Sequence, residues 1–253
     1  MTQAVRQFAA GAGLLLRGVA LYARSPRLVL LGLIPSLISF MIFATALVVL
    51  VVFLSDLAEL VTWFADDWSA GWRRLARLAA EAAILGVGAL LGVLSFTAVT
   101  LLIGDPFYER ISERVEDRLG GAPGLVEQPW WRSLRRSAAD SARLIGRSLT
   151  LGVPLFLSGL IPVVGQFVVP VVGAAVAGWF IAVELVGVPF GRRGMALAER
   201  RRALAAHRPL AVGFGVSVFL CFLVPLGAVL LMPAAVAGGT LLARRALGLP
   251  VTA

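Results

Sequence analysis

The residues that could carry chemistry in this chain are few, and they lie inside or beside long apolar runs. Glu184 follows Trp179-Phe180-Ile181-Ala182-Val183 in a stretch otherwise free of charge. A carboxylate is expensive in such surroundings and faces a partner or a polar cavity. Two readings stand for it: a proton-coupling group, or a structural partner for an arginine or a backbone donor. Asp105 closes an apolar run and precedes Pro106, the order of a helix N-cap followed by proline at the first helical position. It is also a candidate for coupling. Beyond it, Glu109, Arg110, Glu113, Arg114, Glu116, Asp117 and Arg118 recur at three- and four-residue spacing. That spacing predicts a charged helix laced by ion pairs. In it, Glu113 and Glu116 pair with Arg110 or Arg114, or reach another subunit. Gln166 sits just after Pro162, where its amide could satisfy backbone groups that the proline frees or could line a permeation path.

Other chemistries lack their residues. One histidine, His207, and one cysteine, Cys221, are present, so a His-based metal site and an intrachain disulfide are not expected. No Ser-His-Asp set, cysteine cluster, Walker loop or Rossmann fingerprint occurs. No catalytic residue, metal or cofactor is assigned, and the chain is not expected to be an enzyme. Any transport would follow a gradient or couple to protons.

The elements that must position these residues are those of a membrane protein. The 253 residues are 59% hydrophobic and 15% charged, with mean hydropathy +0.92, against roughly 25% charged in a soluble domain. Net charge is +9 and every basic residue is arginine. These arginines flank apolar spans, which suits membrane orientation and anionic headgroups rather than nucleic acid.

Along the chain, 3–24 reads as an amphipathic helix at the membrane surface. Residues 26–54 form a transmembrane helix with Pro35 in its first turns. The polar loop 55–81 carries Trp63, Trp68 and Trp72, as expected for an interfacial belt. Residues 82–104 form a second span, with a charged extension to 118. A Gly/Pro linker runs through Pro129. Then 132–190 forms a first hairpin, 191–208 a basic segment, and 211–243 a second hairpin. The hairpins repeat one pattern: two prolines eight residues apart (Pro162 and Pro170, Pro225 and Pro233), then Ala-Ala-Val-Ala-Gly at 174–178 and 234–238. Their first apolar arms are about 14 residues, roughly 21 Å, too short for a core of ~30 Å. The expected fold is therefore all-α: a polytopic helical membrane protein with two full transmembrane helices and two re-entrant (hemi-penetrating) helical hairpins. Kinked complete spans are the alternative. Segments 1–27, 105–147, 191–208 and 244–253 hold the arginine excess, which puts both termini in the cytoplasm.

These residues resemble the CysZ sulfate-permease family and its relatives with the etoposide-induced-protein domain. Ser25-Pro26-Arg27-Leu28 with Ile34-Pro35 looks like the family's opening of the first spanning helix. Asp105-Pro106-Phe107 with Glu113, Val115 and Glu116 is similar to its charged helix. Leu160-Ile161-Pro162-Val163-Val164-Gly165-Gln166 matches its isoleucine-proline-x-x-glycine-glutamine turn. Glu184 through Val188-Pro189-Phe190, and Val224-Pro225 through Met232-Pro233-Ala234, continue the likeness. It covers about residues 10 to 245. The resemblance implies a bacterial inner-membrane protein passing sulfate inward for cysteine synthesis, assembled as a dimer or larger homo-oligomer in the lipid bilayer.

One departure matters. The family's sulfate-binding motif runs proline, glycine, leucine or isoleucine, arginine, arginine. Here Pro26, Arg27, Leu28, Val29 and Leu30 stand at those positions. A helix N-terminus still suits a sulfate, and Arg27 restores one charge beside it. Pro26, Arg27, Leu28 and Val29 are thus the candidate anion site. The expected function is uptake of sulfate or a related oxyanion. The rival is a structural or regulatory membrane protein of the same fold that has lost sulfate handling.

Overall fold

The computed structural model describes residues 2–126, 130–161, 164–224 and 226–251, with the side chains of 130–141 and of Val164 outside that description. Pro129, Pro162, Val163 and Pro225, which sequence reasoning made linker and hairpin breaks, lie outside the described residues. So do the side chains of Arg132, Arg135 and Arg136.

Described residues form helices and no strand: α1 Gln3–Ala23, α2 Pro26–Val52, α3 Leu54–Val61, α4 Ala70–Arg118, α5 Trp130–Ser158, α6 Val169–Leu185, α7 Gly187–Gly191, α8 Leu197–Ala205, α9 Arg208–Phe222 and α10 Gly227–Ala246. Five segments are long and apolar enough to cross a bilayer, in α1, α2, α4, 165–185 and α10, while α8 and α9 meet at a bend of 107°. The chain is a polytopic helical membrane protein. It divides into two compact units, residues 1–32 with 106–253, and residues 33–105.

The first unit is built around α10, whose Pro233, Ala234, Ala235, Val236, Ala237, Gly238, Leu241 and Leu242 are all buried. Small residues let neighbouring backbones approach closely, and α1, α6, α7, α8 and α9 all pack on α10. Helix α1 buries Gly11, Leu14, Leu15 and Gly18, one stripe at helical spacing. It meets α9 backbone to backbone, Gly11 against Leu210 and Gly213 against Phe8. Arg6 and Arg17, on the same helix, stay exposed.

The turns that precede α6 and α10 share one device. A Cβ on Gly165 would collide with the carbonyl oxygen of Gly159, and a Cβ on Gly227 with that of Cys221. In both cases the carbonyl lies six residues back. At the second turn, Leu226 takes φ 61°, ψ 0°, a left-handed conformation that bulky residues avoid. The first enters α6 through one wide turn of π-helix, 164–168.

The second unit is an antiparallel helix pair. Phe43 and Phe96 meet edge-on at 5.7 Å, and Gly88 opens to the Leu50 side chain. Its far end is tied by Arg77 to Glu59 (2.7 Å) and Asp66 (3.5 Å). Trp63, Phe64 and Trp68 stack edge-to-face there, with Trp63 and Trp72 well exposed.

One difference from the sequence reading concerns Asp105. Helix α4 runs unbroken through Asp105 and Pro106, so Asp105 is an interior helix residue and not an N-cap. Proline inside a membrane helix frees one carbonyl, whereas ending the helix would free several in a medium that cannot solvate them.

Replacing Gly165 or Gly227 by Ala is expected to destabilise the fold by about 1–3 kcal/mol each through backbone overpacking. Leu226→Gly is expected to stabilise it by about 1 kcal/mol by relieving the left-handed residue. Unfolding midpoints in detergent check both signs.

Candidate functional site

The charged end of α4 buries one face. Tyr108, Ile111, Ser112, Val115, Glu116 and Leu119 are all buried, and their spacing of three and four places them on one stripe. Glu109, Arg110, Arg114 and Asp117 are exposed on the opposite side. Glu116 falls on the buried stripe and has no solvent exposure at all. A carboxylate there requires cations on it, and the chain supplies two from the turn after α7. Arg192 Nη1 donates to Glu116 Oε2 at 2.8 Å, and Arg193 Nη2 lies 2.6 Å from Oε1. The Arg193 contact is a close ion pair. Arg193 Nη1 donates to Pro189 O at 2.7 Å. Arg192 also stands 3.8 Å from Glu113, which pairs with Arg110 at 3.6 Å within the helix.

A third arginine closes the end of α4. Arg244, on α10, is 1% exposed and donates to Leu119 O and Gly121 O at 2.6 Å each, and to Pro250 O at 2.9 Å. Leu119 caps α4 and Gly121 lies in the turn just beyond it, so the buried guanidinium satisfies the cap carbonyl and a turn carbonyl next to the helix's negative dipole end. Positive φ at Gly120 and Gly121 turns the chain back so that these carbonyls point at Arg244. One turn earlier, Thr240 Oγ1 and Ser112 Oγ, both fully buried, bond at 2.9 Å.

This anchoring delivers Arg118 to the corner between α1 and α2. Its Nη2 donates to Ser25 Oγ at 2.5 Å. Of the four residues predicted to hold an anion, Pro26 and Arg27 are exposed, Val29 is half-buried and Leu28 is fully buried. The N–H groups of Leu28 and Val29 both turn inward to Ser25 O, at 3.0 Å each. Capacity for an anion at this corner therefore rests on side chains: Arg27, Arg118 and the exposed Arg24. Sequence reasoning missed Arg118 because the contact joins residues 93 apart, and no local spacing signals it.

The other candidates are placed apart. Gln166 is exposed in the wide turn before α6, and Arg114 is exposed on α4. Glu184 is exposed one residue before the end of α6, at the arm's margin and not deep within it. The expected partners of Glu116, Arg110 and Arg114, are replaced by Arg192 and Arg193. Its position on the buried stripe of α4 points Glu116 away from its own helix neighbours.

Glu116→Ala would leave the largely buried Arg193 without its counter-charge and Arg192 with only Glu113 at 3.8 Å, and is expected to destabilise the protein by about 3–5 kcal/mol. Glu113→Ala, at a partly exposed pair, is expected to cost about 1 kcal/mol or less. Unfolding of the two variants side by side in detergent measures the difference.

Comparison with known proteins places the geometry in context. Residues 14–233 match the model of the family described as sulfate transporter CysZ/etoposide-induced protein 2.4. A sulfate transporter CysZ of Pseudomonas fluorescens is 33% identical over 150 residues, 58% of this chain and 60% of the relative. One of Vibrio cholerae is 27% identical over 152 residues, 57% of this chain and 59% of the relative. One of Pectobacterium atrosepticum is 28% identical over 151 residues, 57% of this chain and 54% of the relative. The matched stretch thus spans less than two thirds of these relatives' length.

Proposed function

The chain belongs to the sulfate transporter CysZ/etoposide-induced protein 2.4 family, and from that premise we propose that it passes sulfate, or a closely related oxyanion, across the bacterial inner membrane into the cytoplasm for sulfur assimilation. The observation that carries the reading is the corner before α2. The family's motif has two arginines where this chain has Val29 and Leu30. Arg27 and Arg118 supply two guanidinium groups near the same corner, one from the first turn of α2 and one across the fold through Ser25. Planar guanidinium forks suit the oxygens of a tetrahedral dianion. The anion is then held by side chains in place of helix N–H groups, which lets it leave as readily as it enters.

The proposed topology has two full spans, α2 and the apolar part of α4, and two hairpins, α5 with α6 and α9 with α10, which enter from the cytoplasmic side. Helix α9, with 15 residues, is about 22 Å long and short of a hydrocarbon core of ~30 Å. Asp105, Gln166 and Glu184 are each candidate coupling or lining residues, Arg110 and Arg114 flank the charged end of α4, and the working form is a homodimer or larger. A second reading, a membrane protein of this fold without sulfate handling, draws on the same two positions: apolar Val29 and Leu30.

Reconstituted protein is expected to take up labelled sulfate. Arg27→Ala and Arg118→Ala should each raise the apparent KM about tenfold, the worth of one charge-assisted hydrogen bond. Uptake equal to that of empty vesicles supports the second reading. Wild-type uptake unaffected by either substitution removes the corner from the mechanism.

A further inference from the structure

Between α5 and α6 lies a cleft of about 470 Å³, bounded also by one side chain of α9. Its floor is bare backbone at Gly152 and Gly173, its walls are Phe156, Phe180 and Phe219, and Ser148 stands at one end. Along α5 the lined stretch, Ser148 to Phe156, is about 12 Å long. The helices that frame it present Leu151, Val153, Leu157 and Val172 outward as exposed apolar side chains. In a membrane protein such a face meets hydrocarbon, not water.

The Ser148 end is charged. Arg147 directly precedes Ser148 and is exposed, and Arg143 lies one turn earlier, also exposed. Glu184, one turn beyond Phe180 on α6, is exposed as well. Among the described side chains of 143–148 and 180–185, two arginines thus stand against one carboxylate. An apolar slot with a cationic rim matches a molecule that is a hydrocarbon chain at one end and a phosphate at the other.

We propose that this cleft binds one acyl chain of an anionic phospholipid, with the headgroup phosphate on Arg147. The chain lies over Gly152, where the missing side chain leaves open space, past Leu155 and Gly173, and against the three phenylalanine rings. The phosphate sits where α5 leaves the apolar zone, a level at which long arginine side chains reach headgroups. The site is independent of the α1–α2 corner, so a lipid result neither requires nor removes sulfate passage.

The test fills the cleft and separately removes its charge. A Cβ at Gly152 meets no neighbouring atom within 4 Å, and leucine is a better helix former than glycine, so Gly152→Leu occupies the slot without disturbing the helix. Full-length protein is reconstituted in nanodiscs of equal parts phosphatidylcholine and phosphatidylglycerol, and retained lipid is read by native mass spectrometry, with circular dichroism checking helix content. Wild type is expected to retain one phosphatidylglycerol per protomer. Gly152→Leu should lower retention at least about tenfold, the worth of two displaced methylenes. Arg147→Gln, a surface change, should keep a bound lipid but abolish the preference for phosphatidylglycerol. Unchanged retention in Gly152→Leu overturns the site. Unchanged retention with a loss of dimer mass overturns it in favour of a contact between copies. An unchanged headgroup preference in Arg147→Gln overturns the assignment of the phosphate.

Discussion

A fully buried carboxylate is tolerable only if cations are brought to it, and Glu116 sets that requirement for the whole first unit. Arg192 and Arg193 answer it from a turn 76 and 77 residues away. Once they do, the end of α4 is fixed against the turn after α7, and the carbonyls of its C-cap and following turn are fixed against Arg244. Arg118, two residues after Glu116 and on the other side of the helix, then has a defined place to reach, which is Ser25. The candidate anion corner thus depends on a charge that never contacts an anion. Burying such a pair is not itself a large source of stability, because desolvation offsets most of the attraction. Its value lies in penalising every arrangement in which one partner is missing.

The class of fold was legible in the residues. Uncharged apolar runs and arginine-only flanks read as membrane helices, and helices are what form. The repeated proline and small-residue pattern pointed to paired elbows; in the described residues before α6 and α10, a glycine is pressed on a carbonyl six residues back in each case. The charged recurrence after Pro106 read as a helix, and it is one. What was hidden had a common cause. Local spacing assigned Glu116 to Arg110 or Arg114, since helix neighbours are the only partners a sequence displays. The burial of Tyr108, Ile111 and Val115 on the same stripe determines instead that Glu116 looks inward. Asp105-Pro106 read as a helix start because in water it would be one. The same dipeptide stays inside α4 because exposed backbone is far costlier in lipid.

The corner before α2 shows how a site can change its means while keeping its place. Val29 and Leu30 carry no charge, and the N–H groups of Leu28 and Val29 are already used by Ser25. Read alone, those positions argue against a bound oxyanion. Arg118 changes the balance by tertiary contact, and Arg27 adds an exposed second fork. In our proposal such a site is weaker than a pair of adjacent arginines over free N–H groups, which suits passage better than storage.

The dependence of this arrangement on the buried charge pair is tested most directly by a double-mutant cycle between Glu116 and Arg193, using Glu116→Gln, Arg193→Gln and the double variant in denaturant unfolding. The account predicts a coupling of about 2 kcal/mol, with the double variant more stable than the sum of the singles allows. Effects that add to within about 0.5 kcal/mol would contradict it, because the two groups would then be independent and Glu116 would not organise the end of α4.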